Sequence, residues 1–187
     1  MTSDEILMDA EERMEKAVNF LREELKGIRT GRASPALVET LRIEYYGSPT
    51  PLRQLASISA PEATQLLIKP YDPGCLKDIE KAILASGLGL TPSNDGKVIR
   101  LNIPPMSGEQ RAKMTARVKK LAEEAKVSIR NIRRDANKSF DAEEKAKTLT
   151  EDERDAGKEE VQKLTDKYED MVDQLAQKKT AEIMGEE

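Results

Sequence analysis

Across 187 residues the chain carries 31 Lys and Arg against 35 Asp and Glu, a formal net charge of -4, with 37% hydrophobic residues, 3% aromatic residues and no tryptophan. That balance excludes a protein that coats nucleic acid indiscriminately, so any such contact must be local. The composition suits long amphipathic helices better than a bulky aromatic core. Histidine is absent, and with it the commonest general base and metal ligand and every Ser-His-Asp or Cys-His arrangement. The single cysteine, Cys75, excludes an intrachain disulfide and fits a reducing cytoplasm. No stretch approaches the ~20 apolar residues that cross a bilayer. The start, MTSDEILMDA, lacks the basic opening and apolar run of a secretory signal. A cytoplasmic protein without membrane contact is expected.

Taken in order, Ser3 is the expected N-cap of a first helix, with Asp4 and Glu5 in its first turn. Leu7, Ala10, Met14, Ala17, Leu21, Leu25 and Ile28 form a heptad-like seam that should end near Lys26 to Arg29. The following GIRTGRASP joins two glycines to Ser34-Pro35 and predicts a change of direction. From Leu37 the period shortens: Leu41, Ile43 and Tyr45 alternate with polar or exposed positions as in a half-buried strand, which GSPTP should close. Two further strands are predicted at about Leu55 to Ser59 and Gln65 to Lys69, with Ala60-Pro61-Glu62 as the turn between them. Asp72-Pro73 then opens a short helix with Leu76, Ile79, Ala82 and Ile83 on one face, ending at Gly87. SNDG reads as a turn before a strand carrying Ile99, Leu101 and Ile103, which Pro104-Pro105 stops.

The stretch from Ser107 to about Leu149 is one long helix, with Met114, Val118, Leu121, Ala125, Ile129, Ile132, Ala136 and Phe140 on a single stripe. Thr150 and Glu153 form a capping box for a third long helix, whose seam is Val161, Leu164, Tyr168, Met171, Leu175 and Ile183. Three helices with one narrow apolar stripe each can bury those stripes only against one another, so residues 1-29 and 107-187 are expected to form an antiparallel three-helix bundle. Residues 30-106 become an inserted small β/α/β domain, making the chain α+β. Its crossings, 30-35 and 103-107, hold Thr30, Gly31, Ser34, Pro35, Pro104 and Pro105 as hinge candidates; rigid turns at a fixed angle are the alternative.

No catalytic residue, metal site or cofactor is expected. The glycine-rich stretches spell neither a P-loop nor a dinucleotide fingerprint. Cys75 reads as a small buried hydrophobe, and the carboxylates of the third helix stand among lysines at ion-pair spacing. The remaining signal is basic. Lys126, Arg130, Arg133, Arg134 and Asn137 share a helical face away from the apolar stripe, and arginine's planar fork of donors suits phosphate oxygens. With no interleaved aromatics, such a strip reads backbone and shape, not base sequence. The competing readings are that these arginines pair with Glu123, Glu124 and Asp135, or that the helix is an adaptor for an acidic protein partner.

At these residues the chain resembles the ribosome recycling factors of bacterial type, over essentially its whole length. The resemblance is carried by KGIRTGRASPALVE (Lys26 to Glu39), EYYGSPTPLRQLASI (Glu44 to Ile58), EKAILASGLGLTPSNDG (Glu80 to Gly96), VSIRNIRRDAN (Val127 to Asn137) and VQKLTDKYE (Val161 to Glu169). It implies an L-shaped monomer with a flexible elbow between its two domains. It further implies binding to the post-termination ribosome and, with elongation factor G and GTP, separation of the subunits for a new round of translation. The family's contacts to large-subunit ribosomal RNA match Arg130, Arg133 and Arg134, with Arg29 and Arg32 beside the elbow.

Overall fold

The computed structural model describes residues 1-185. The chain divides into two compact units, Met1–Ile28 together with the chain from Arg111, and Arg29–Gln110. The first unit is built from α1 (Ser3–Lys26), α4 (Gly108–Lys145) and α5 (Glu151–Met184). Each of these helices opens on the same device, a hydroxyl residue followed three positions later by Glu or Gln. Thr2 Oγ1 accepts from the Glu5 N–H at 3.2 Å while the Thr2 N–H donates to Glu5 Oε2 at 2.8 Å. Ser107 with Gln110 and Thr150 with Glu153 repeat the exchange. Two orphan amides are thereby satisfied at each start. The N-cap of α1 is therefore Thr2, not Ser3, because only Thr2 stands three residues before a glutamate.

The apolar stripes follow the expected period with shifts of one residue. On α4, Val118, Leu121, Ala125, Ile129, Ile132, Ala136 and Phe140 are buried as expected, Ala122 joins them, and Met114 is half-buried. On α1, Ile6 and Val18 are fully buried where Leu7 and Ala17 were expected; on α5 Thr165 and Val172 take the places of Leu164 and Met171, Gly157 is buried in addition, and Leu175 is only half-buried. The displaced residues are half-buried flanks. Each helix meets two neighbours, so its buried stripe is wider than a coiled-coil seam and centred between them. Ion pairs fix the directions: the Met1 amino group meets Glu143 at 3.1 Å and Arg13 meets Asp135 at 3.0 Å, while Lys158 meets Asp141 at 2.6 Å and Lys126 meets Asp173 at 2.5 Å, so α4 runs antiparallel to both other helices. The Tyr168 hydroxyl donates to Glu11 at 3.1 Å and joins α5 to the parallel α1.

In the second unit, β1 (Arg42–Tyr45) and β2 (Ser48–Pro51) form a hairpin turned by Tyr46 and Gly47, whose φ values are 50° and 77°. Two positive φ angles in a two-residue turn match the twist of a hairpin. GSPTP is therefore a partner strand rather than a stop. Its prolines are tolerated because the ribbon has only two strands and neither proline needs to donate to a third. A short α2 (Leu52–Leu55) leads to the sheet of β3 (Ala56–Glu62), β4 (Gln65–Pro70), β5 (Pro92–Asn94) and β6 (Ile99–Asn102), ordered β3-β4-β6-β5 and antiparallel throughout. β3 continues through Pro61 by way of an irregular register between Ser59 and Glu62, which moves the turn to Ala63-Thr64. Leu66 faces Leu101 and Ile68 faces Ile99, so one side of the sheet is apolar, and α3 (Leu76–Ala85) contributes Leu76, Ile79 and Ile83 to the same core. Cys75 is buried there, as expected, and burial pushes its thiol pKa up.

Two features of the bundle can be measured directly. A Cβ at Gly157 would stand 2.5 Å from Cζ of the fully buried Phe140, so Gly157→Ala overpacks the seam between α5 and α4. Alanine is worth about 1 kcal/mol over glycine in a helix, but overpacking costs roughly 1–3 kcal/mol. Urea unfolding is expected to show a net loss. Burial, and then the bond to Glu11, push the Tyr168 phenol up to about 12 from its ordinary 10.0. The native state thus holds this proton more tightly than the unfolded chain does. The stabilisation is complete below about pH 10 and disappears as pH rises to about 12. Phenolate absorbance should show this late titration in the native chain and lose it in Tyr168→Phe.

Candidate nucleic-acid interface

Successive side chains on α4 turn by about 100°, so a helix with neighbours on two sides has two flanks and one outward face. Lys126, Arg130, Arg133 and Asn137, spaced by four, three and four, lie on the flank toward α5. There they meet a matching row. Arg130 Nε donates to Glu169 Oε1 at 2.9 Å, Arg133 Nη1 donates to Gln162 Oε1 at 3.4 Å, and Lys126 reaches Asp173. Asn137 Oδ1 is buried without a hydrogen bond. The expected single binding face is therefore divided, because α5 takes up part of it.

The three arginines differ in how far their charge is spent. Arg130 also reaches Glu123 Oε1 at 3.3 Å, and its bond to Glu169 followed by that to Glu123 raises its pKa above the ordinary arginine value against the cost of burial. Its side chain nonetheless remains 38% exposed. Arg133 is held by a neutral amide, whose own N–H₂ donates to Asp166 at 2.9 Å, and the guanidinium forms no ion pair with any described residue. Arg134 lies on the outward face, exposed, with no hydrogen bond or ion pair to any described residue. Lys120 and Lys138 share that face and are exposed and unpaired in the same way. Of the carboxylates expected to compete, only Glu123 engages an arginine of this cluster. Asp135 is taken by Arg13.

Gln162, Glu169 and Asp173 went unread in the sequence, although a signal for them exists. The turn after α4 is short, so positions about equally far from it on two antiparallel helices must face each other, which pairs 133 with 162, 130 with 169 and 126 with 173. Arg29 and Arg32 belong to the other unit, both half-buried, and Arg32 has a partner of its own.

The crossings are anchored at one place. The Ala33 N–H donates to Ala63 O and the Ile103 N–H to Thr64 O, each at 2.7 Å, so both segments are tied to the turn between β3 and β4. Ser34 Oγ accepts from the Ala36 N–H and caps a single 3₁₀ turn, Pro35–Leu37. Ser34 and Pro35 thus lie on the sheet side of the anchor, whereas Thr30, Gly31, Pro104 and Pro105 lie outside it. Gly31 has φ +78°, and a Cβ there would approach Met106 Cγ to 3.6 Å.

Among the described residues no helix is long and apolar enough to cross a membrane, and no group of three His, Cys, Asp or Glu could hold a metal ion. The family model for ribosome recycling factor matches residues 21–184. A ribosome-recycling factor of Halalkalibacterium halodurans is 55% identical over 97% of this chain and 98% of its own length. One of Rhodopirellula baltica is 70% identical over 74% of this chain and 75% of its own. A solution structure of the ribosome recycling factor, 42% identical, superposes with a TM-score of 0.78 over 98% of this chain and 97% of that one. A second structure, 44% identical with a TM-score of 0.69 over 98% of this chain and 99% of that one, represents the T. thermophilus ribosome recycling factor with the E. coli elongation factor G on the E. coli post-termination complex. Alike in sequence over nearly its full length and in fold over both of its units, the chain belongs to the ribosome recycling factor family.

Proposed function

We propose that this chain recycles ribosomes: it binds the post-termination ribosome and, with elongation factor G and the GTP that this partner hydrolyses, separates the subunits. Arg130, Arg133 and Arg134 grasp phosphates of large-subunit ribosomal RNA, with Arg29 and Arg32 contributing from the other unit, and the protein works in the cytoplasm as a monomer. The observation that carries the RNA contact is that neither Arg133 nor Arg134 forms an ion pair with a described residue, whereas their neighbours Lys126 and Arg130 both do. The relatives' shared name and the ribosome-bound structure favour this reading over an adaptor for an acidic protein. The chain does no chemistry of its own. It shifts the equilibrium between joined and separated subunits by no more than its difference in affinity for the two states.

Splitting of purified post-termination ribosomes by the chain, elongation factor G and GTP is the direct assay. The paired variant Arg133→Ala/Arg134→Ala should bind large subunits at least about tenfold more weakly, the worth of one or more charge-assisted hydrogen bonds. Its affinity should also fall less steeply with salt, by roughly one released counterion for each phosphate that the variant no longer neutralises. Native affinity in a folded variant would remove these arginines from the interface.

Thr30-Gly31 and Pro104-Pro105 act as the elbow, where two prolines with fixed φ restrict bending to a few bonds. Pro104→Gly/Pro105→Gly should therefore keep its affinity for large subunits yet split ribosomes severalfold more slowly, because a slack crossing dissipates the push of elongation factor G. Unchanged splitting would show that the crossing's stiffness plays no part.

A further inference from the structure

On the side of α4 away from Glu169 and Gln162, a groove of about 690 Å³ opens between α4 and α1. Ala17 and Leu21 of α1 and Leu121 and Ala125 of α4 line it, and Phe20 stands at its edge with 66% of its surface exposed. The small side chains Ala17 and Ala125 leave the floor unfilled, and the volume lies within the range of formed ligand sites.

The charges along this groove are uneven. At one end Arg13 is engaged by Asp135 at 3.0 Å and by Asp9 at 4.0 Å, and Lys16 by Glu12 at 3.1 Å. Eleven residues further along each helix, from Arg13 to Glu24 and from Asp135 back to Glu124, the antiparallel register brings two carboxylates to the same level. Eleven residues are close to three turns, so both point to the same side as the ion pair they follow. Neither Glu24 nor Glu124 has an ion pair or a side-chain hydrogen bond to any described residue, and Lys120, one turn before Glu124, does not engage it. Like charges facing each other across an apolar floor repel unless a cation stands between them.

We infer that this groove docks a basic polypeptide segment of a protein partner, a lysine or arginine of which lies between Glu24 and Glu124 while an apolar side chain one or two turns away fills the floor beside Phe20. The groove runs for about 16 Å along the helices, enough for the apolar face of a short helix laid into it. RNA is a poor occupant because the same carboxylates repel its phosphates. A second copy is equally poor, since the chain is net acidic and would bring four such carboxylates together. The inference is independent of the arginines on the opposite flank, so the two surfaces can be tested separately.

The test titrates the full chain with two labelled synthetic peptides of about eighteen residues, one built from Leu and Lys and one from Leu and Glu, at physiological salt. Fluorescence anisotropy reads binding and sedimentation velocity reads stoichiometry. The Leu/Lys peptide should bind saturably, one per chain. Glu24→Gln/Glu124→Gln should weaken it about tenfold, Ser128→Trp at the groove wall should block it sterically, and Arg133→Ala/Arg134→Ala should leave it unchanged. The glutamine variant should melt no lower than the native chain, because it relieves a repulsion, so lost binding there is not unfolding. The inference is overturned by equal binding of the Leu/Glu peptide, by full affinity in the glutamine variant, or by self-association of the chain through this face in place of peptide binding.

Discussion

Three long helices must share one core while each offers only a narrow apolar stripe, and α4 carries the tightest form of that constraint. Its stripe is used from Val118 to Phe140, and the side chains on either edge come within reach of α1 or α5. Charged groups at those edges cannot enter the core, so they pair across the boundary: Arg13 with Asp135 on one side, Lys126 with Asp173 and Arg130 with Glu169 on the other. Exposed pairs of this kind contribute about 0–1 kcal/mol each, too little to hold the bundle together. Their effect is to fix which residues stand opposite one another. The close approach of Phe140 to Gly157 does the same from inside the core.

From this arrangement the functional surfaces follow. α5 claims part of α4's basic flank, and what it leaves is a graded set. Arg130 is matched by carboxylates, Arg133 is held in place without losing its charge, and Arg134 is open to solvent. In the proposed contact, an RNA backbone would meet one arginine already oriented by a neutral amide. Less side-chain freedom is lost when that arginine binds. The chain's net acidity disfavours an anionic partner away from such a basic patch.

How far the sequence reveals this depends on whether the determining contact is local. The three long helices, their seams to within a residue and the capping box at Thr150 are legible because period and capping are properties of neighbouring residues. β2 is not, since Pro49 and Pro51 argue against a strand until one knows that the ribbon has no third member. The turn after β3 is misread for a related reason: Pro61 looks like punctuation, yet the irregular pairing between Ser59 and Glu62 accommodates it. Within the site, the basic residues stand out by composition. Their partners Gln162 and Glu169 lie 29 and 39 residues away, and only their distance from the turn between the two helices, not their local sequence, marks them out.

The anchoring of both crossings at Ala63 and Thr64 also bears on the order in which the chain can assemble. α1 must find α4 across an excursion of about eighty residues, and the entropy of closing a flexible loop rises by about 0.6 kcal/mol with each doubling of its length. Once β3, β4 and β6 have paired, the bonds to Ala63 O and Thr64 O hold the two ends of that excursion together, and the effective loop shrinks by about three doublings. A nascent chain that completes the insertion first would therefore meet an entropic barrier to bundle nucleation lower by about 2 kcal/mol, so the smaller unit serves as a folding clamp for the larger.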